Sequence, residues 1–148
     1  MSLEILEAKE AIREVIDMFS TLEIDVPAQM KYFTEDAHVM VHMGGKLVMD
    51  IKGRDELEKQ FSVFTGGIKA AHHMNGQQVI TIDGDTAVAV HYCRAALVTE
   101  EDGHDVVSDN YIRYTDKLVC VNGEWKISER DQHFVITKKT NTIIVIIY

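Results

Sequence analysis

A chain of 148 residues has the length of one domain, and such a chain buries roughly 70% of the surface it exposes when unfolded. With 46% hydrophobic residues, 26% charged residues and a single proline, it falls outside the disordered, collagenous and low-complexity classes. Its 24 acidic against 15 basic residues leave a formal charge of -9, which repels a phosphate backbone and excludes nucleic acid as the expected partner.

Ile5, Ala8, Ile12, Val15, Phe19 and Leu22 recur every three or four positions among charged residues, which predicts an amphipathic helix over roughly the first twenty-two residues. Asp25 stands where an N-cap belongs and Pro27 suits the first turn of a second, short helix that turns Met30 and Phe33 inward. From residue 38 the period changes. His38 to Met43 and Lys46 to Ile51 flank Gly44-Gly45 as a hairpin, and Asp55 to Phe64 reads as a third helix ended by Gly66-Gly67.

The rest reads as strand: Val79 to Ile82, Thr86 to Val98, Val106 to Val121 and Trp125 to Ile136, separated by tight Asp/Asn-Gly turns that make neighbours antiparallel. Three helices ahead of a meander predict an α+β domain with helices on one face of a curved antiparallel sheet. No repeat or linker interrupts the chain, so residues 1–148 read as one domain with a core over about 5–136 and an apolar extension over 137–148. Thr86 to Val98 is apolar on both faces, so a second cover is expected beyond the helices, and a homodimer would supply it. The apolar residues 143–148 are too few to span a bilayer and are expected to pair with a sheet edge or a dimer seam.

The first residues lack a basic end and an unbroken apolar stretch, so the chain reads as cytoplasmic with no membrane partner. Cys93 and Cys120 stand alone in apolar strands and read as reduced core thiols. Of seven histidines, His38 and His42 share a strand face, but four residues separate them by ~13 Å, too far for one ion. His42, His91 and His133 could meet only across strands, and no ligand spacing supports it; neither metal nor cofactor is expected.

The order of elements carries the phrases Phe33-Thr-Glu-Asp-Ala37, Gly53-Arg-Asp-Glu-Leu57, His73-Met-Asn-Gly76, Ile82-Asp-Gly-Asp-Thr-Ala87 and Asn122-Gly-Glu-Trp-Lys-Ile127. Together they resemble the SnoaL-like branch of the nuclear transport factor 2-like superfamily over residues 5 to about 136. The resemblance implies a cone-shaped α+β barrel, usually dimeric, with a mostly apolar pocket between helices and sheet. It also implies a histidine at the start of the third strand paired with a carboxylate after the first helix. Here the histidine falls on His73, and the carboxylate on Glu23 or Asp25 according to the length of the connection.

Two departures stand out: Met18 replaces the tyrosine of the dehydratases, and Val41 falls near the base of ketosteroid isomerase. Strict alternation places His72, not His73, with Ile80 and Ile82, so a bulge near Asn75-Gly76 is needed to bring His73 inward. Asp25 also has a purely structural use as a cap.

The expected activity is that of a cofactor-independent dehydratase, isomerase or cyclase acting on a small hydrophobic carbonyl compound. His73, oriented by Glu23 or Asp25, would move a proton while Tyr111 or Arg113 holds the enolate. His42, His91, Arg113, His133, Met74 and Trp125 are expected to line the substrate site. The rival expectation is a non-catalytic ligand-binding or dimerisation module of the same fold.

Overall fold

A computed structural model describes residues 1–141. Three helices, α1 (Leu3–Thr21), α2 (Val26–Met30) and α3 (Arg54–Thr65), combine with six strands. These are β1 (Phe33–Met43), β2 (Lys46–Lys52), β3 (Ala70–Asp83), β4 (Thr86–Glu101), β5 (His104–Val121) and β6 (Glu124–Asn141). The expectations for residues 143–148 lie outside the described residues.

The strands form one sheet in the order β2-β1-β6-β5-β4-β3. The α+β class and the helix-covered, curved sheet hold, with two corrections. The β1–β6 pair is parallel, so the sheet is mixed and not antiparallel throughout, and it stays open between its β2 and β3 edges instead of closing into a barrel. The parallel pair follows from the path: after the β1–β2 hairpin the chain crosses through α3, and the four-strand meander returns β6 beside β1 in the same direction. Gly44 and Gly45 close that first hairpin with φ of 57° and 76°, as a primed two-residue turn requires.

The concave face packs on the helices. Ile12 and Ile16 of α1 and Leu57 of α3 are buried against Phe33, Val39, Ile51, Ala89, Leu118 and Ile127, each from the inward register of its strand. Phe19 meets Phe33 edge to face at a centroid separation of 5.5 Å. A second cluster of Cys93, Ala95, Ile112 and Tyr114, with Phe134 against it, continues the same face beyond the helices.

β3 starts nine residues ahead of the apolar run Val79 to Ile82, and α1 explains why a polar stretch is strand there. Asn75 donates to Asp17 at 2.8 Å and accepts from Ser20 at 2.9 Å, and Gln78 donates to Asp17 at 2.7 Å. Asp17 and Ser20 are three apart on one helix face, so they meet Gln78 and Asn75 in turn as the strand runs back along the helix.

Candidate functional site

The register of β3 on β4 shifts between Asn75 and Gln78, inserting the extra residue that the sequence requires. His73 and Asn75 therefore share the concave face with Ile80 and Ile82, while His72 and Met74 turn to the opposite side. His73 sits across from Ala95, which sits across from Asn110, so a small side chain separates the imidazole from the next polar group on that face.

Glu23 reaches this imidazole from the turn after α1. It adopts φ 56°, a left-handed conformation common at helix C-termini but disfavoured for a residue with a Cβ. Buried Gln29 of α2 holds the turn by donating to the carbonyls of Phe19 at 3.1 Å and Glu23 at 3.0 Å. The Glu23 side chain then grips His73 twice: Oε1 accepts the backbone N–H at 3.2 Å, and Oε2 contacts ring Nδ1. Against a carboxylate, which only accepts, Nδ1 is the donor, which in the neutral ring leaves Nε2 as the acceptor. Both side chains are partly exposed, at 18% for His73 and 31% for Glu23, so a ligand can approach.

Asp25, the other carboxylate considered, caps α2 through its Oδ1 on the Ala28 N–H at 3.2 Å. That bond holds it to the helix start, and the contact with His73 belongs to Glu23.

Deeper on the same face, Asp116 and Arg130 form a fully buried bidentate pair at 2.8 and 2.9 Å, and His91 Nε2 lies 2.7 Å from the same carboxylate. Burial raises the Asp116 carboxyl, but the Arg130 charge and the hydrogen bonds from His91 and Arg130 outweigh it and hold the group down at about 2. The Arg130 guanidinium lies over Phe19 at 4.4 Å and Tyr114 at 4.5 Å, which replaces part of its lost hydration. Burial pushes the Cys93 thiol up to about 11 and the Tyr114 phenol up as well, so both are neutral near pH 7. Sequence reading missed Asp116, Arg130, Tyr114 and Gln29; the signal for Asp116 and Tyr114 was their phase with Ile112 and Leu118, whereas Arg130 is out of phase with Ile127 and turns inward only through the register shift of β5 on β6 between Lys117 and Leu118.

The expected lining residues divide between two faces. Tyr111, Arg113, Met74, His42 and His133 lie on the outer face of the sheet, so none can act on a molecule held at His73 within the same chain. The cause is strand alternation: Asn110, Ile112 and Tyr114 point inward, which turns Tyr111 and Arg113 out. His91 faces inward but is buried against Asp116, and Trp125 is packed in the main core. Two shallow grooves of about 480 and 360 Å³ open on the outer face, around Arg94, Met74 and Tyr111.

Comparison with known proteins agrees with this fold. The model of a SnoaL-like domain matches residues 4–131. A solved scytalone dehydratase candidate from Novosphingobium aromaticivorans superposes with a TM-score of 0.77 at 20% identity, over 95% of this chain and 91% of that one. Hexachlorocyclohexane dehydrochlorinase type 3 from Novosphingobium barchaimii superposes with a TM-score of 0.78 at 13% identity, over 99% of both chains. An NTF2-like protein with a cystatin-like fold from Novosphingobium aromaticivorans gives 0.68 at 21%, over 90% and 85%. No curated protein matches the sequence.

Proposed function

The chain belongs to the SnoaL-like domain family, and from that premise we propose that it is a cofactor-independent lyase or isomerase acting on a small hydrophobic carbonyl compound. The contact of Glu23 with His73 on the concave face carries this reading. Relatives of this fold include a dehydrochlorinase and a scytalone dehydratase candidate, whose named chemistries are eliminations. His73 Nε2 takes the proton α to the carbonyl, and Glu23 stabilises the imidazolium that forms. The electron pair moves into an enolate. In a dehydration the β-hydroxyl then leaves with the proton returned to its oxygen; in an isomerisation the proton returns to another carbon.

With Tyr111 and Arg113 on the outer face, the enolate oxygen needs a donor from the concave side. We further assign the protein to the cytoplasm, where its free thiols Cys93 and Cys120 stay reduced. A homodimer is proposed through the outer face of the sheet.

The test uses a panel of aromatic and steroidal ketones in D2O, with thermal shift as the binding readout and deuterium incorporation at the α-carbon as the chemical one. At least one ketone should stabilise the protein and exchange, with His73→Ala slowing exchange at least ~100-fold and Glu23→Gln by ~10-fold or more. Exchange at the parent rate in His73→Ala removes the assigned base. Stabilisation without any exchange selects a non-catalytic binding module, the reading that Met18, in place of the dehydratase tyrosine, supports.

A further inference from the structure

We propose that His42, Asp131 and His133 bind one divalent transition-metal ion of the zinc class, which clamps β1 to β6 on the outer face of the sheet. Asp131 and His133 are two apart on β6 and therefore share a face; His42 is the register partner of His133 on the parallel strand β1. No single-strand spacing announces this trio. No metal is expected from ligand spacing, and the trio differs from the cross-strand set His42, His91 and His133 because His91 is on the concave side and Asp131 takes its place.

The three ligand atoms already converge. His42 Nδ1 lies 2.9 Å and His133 Nε2 3.1 Å from Asp131 Oδ1, and all three lie within 4.8 Å of one another. Ligand atoms around a tetrahedral zinc, with bonds of ~2.0–2.1 Å, are separated by about 3.3 Å. Yet His42 Nδ1 and Asp131 Oδ1 are shielded from solvent and make no hydrogen bond, because no N–H is aligned with the oxygen. Buried polar atoms left in that state cost free energy. A cation among them satisfies both, and also His133 Nε2.

The two imidazole rings stack with planes 4° apart and centroids at 4.2 Å. Protonating both would set two like charges face to face, whereas neutral imidazoles around one shared cation avoid that repulsion. Two histidines and a carboxylate suit zinc and its neighbours better than magnesium or calcium, which prefer all-oxygen shells. Side-chain exposures of 21%, 34% and 32% for His42, Asp131 and His133 give the ion a way in and leave a coordination position for water. Arg113, the register partner of His133 on β5, adds repulsion, so micromolar binding is the expectation.

The experiment is titration of the tag-free full chain with Zn²⁺ by calorimetry, with Co²⁺ absorption as a coordination readout. Expected are one equivalent bound, a Tm raised by about 5 °C or more at a hundredfold excess over Kd, and affinity lowered at least ~10-fold in both His42→Gln and His133→Gln. Asp131→Asn should behave likewise, and His104→Gln, at the exposed start of β5, should bind as the parent does. Circular dichroism confirms that each variant is folded; should one histidine variant not fold, the other and Asp131→Asn decide. Absence of saturable binding, or parent-like affinity in the folded variants of this trio, overturns the proposal.

Discussion

Asp116 shows how one buried residue sets the stability of the concave face. The carboxylate answers Arg130 with two hydrogen bonds and His91 with a third contact, in surroundings otherwise lined by Phe19, Phe33 and Tyr114. Asp116→Asn leaves the guanidinium buried without its counter-ion, and urea denaturation should show a loss of about 3–5 kcal/mol. The same pair makes the fold acid-sensitive. Asp116 titrates at about 2 when folded, against an ordinary 3.8, so below 3.8 the unfolded chain binds more protons. The contribution, on the order of 2 kcal/mol, is complete above that value and disappears as pH falls through it towards the folded one. Stability measured from pH 5 to pH 2 should fall in the parent and change less in Asp116→Asn.

At the scale of elements, the β3 bulge decides what the site contains. Ile80 and Ile82 already point inward, so one extra residue before them is what brings His73 to the same side. Deleting Gln77 restores strict alternation and forces a choice between turning His73 out and turning Ile80 and Ile82 out. Either way the Glu23 contact or the core is lost. The deletion should therefore abolish ketone exchange or lower stability by several kcal/mol, where ~2–5 kcal/mol is the usual cost of stripping one large aliphatic from a core. Gly76→Ala is the informative contrast. An added Cβ would meet the Tyr92 Cβ at 3.7 Å, ordinary contact, and should change the unfolding free energy from urea denaturation by no more than about 1 kcal/mol.

The helices, the first hairpin and the last three strands were legible because period and turn chemistry agree there, and the need for a bulge was legible as a conflict of phase at His73. The first half of β3 was not: it reads polar because its inward residues meet Asp17 and Ser20 instead of the apolar core. The partner of His73 stayed open because Glu23 and Asp25 are two residues apart in a turn, and only the left-handed backbone at Glu23 decides which one reaches the ring. Tyr111 and Arg113 were misassigned because alternation separates two faces of β5 without saying which one the helices cover.

For the whole molecule the decisive feature is the outer face, which no helix among the described residues covers. Val79, Val88, Tyr92, Tyr111, Val135 and Ile136 are exposed there, and its charges come as opposite-signed pairs, Arg94 with Asp109 and Lys117 with Glu129. A chain with a net charge of -9 would ordinarily repel a second copy, but this patch carries locally balanced charge. A two-fold interface sets the same patch against itself, so local neutrality and a central apolar strip are what self-association needs. Tyr92→Asp and Val135→Asp each bury an unpaired carboxylate in that strip when a second copy covers it. Sedimentation equilibrium should then give twice 16.8 kDa for the parent and 16.8 kDa for either variant, with circular dichroism unchanged because both positions are exposed. A parent that sediments at the single-chain mass at micromolar concentration would overturn the two-fold interface.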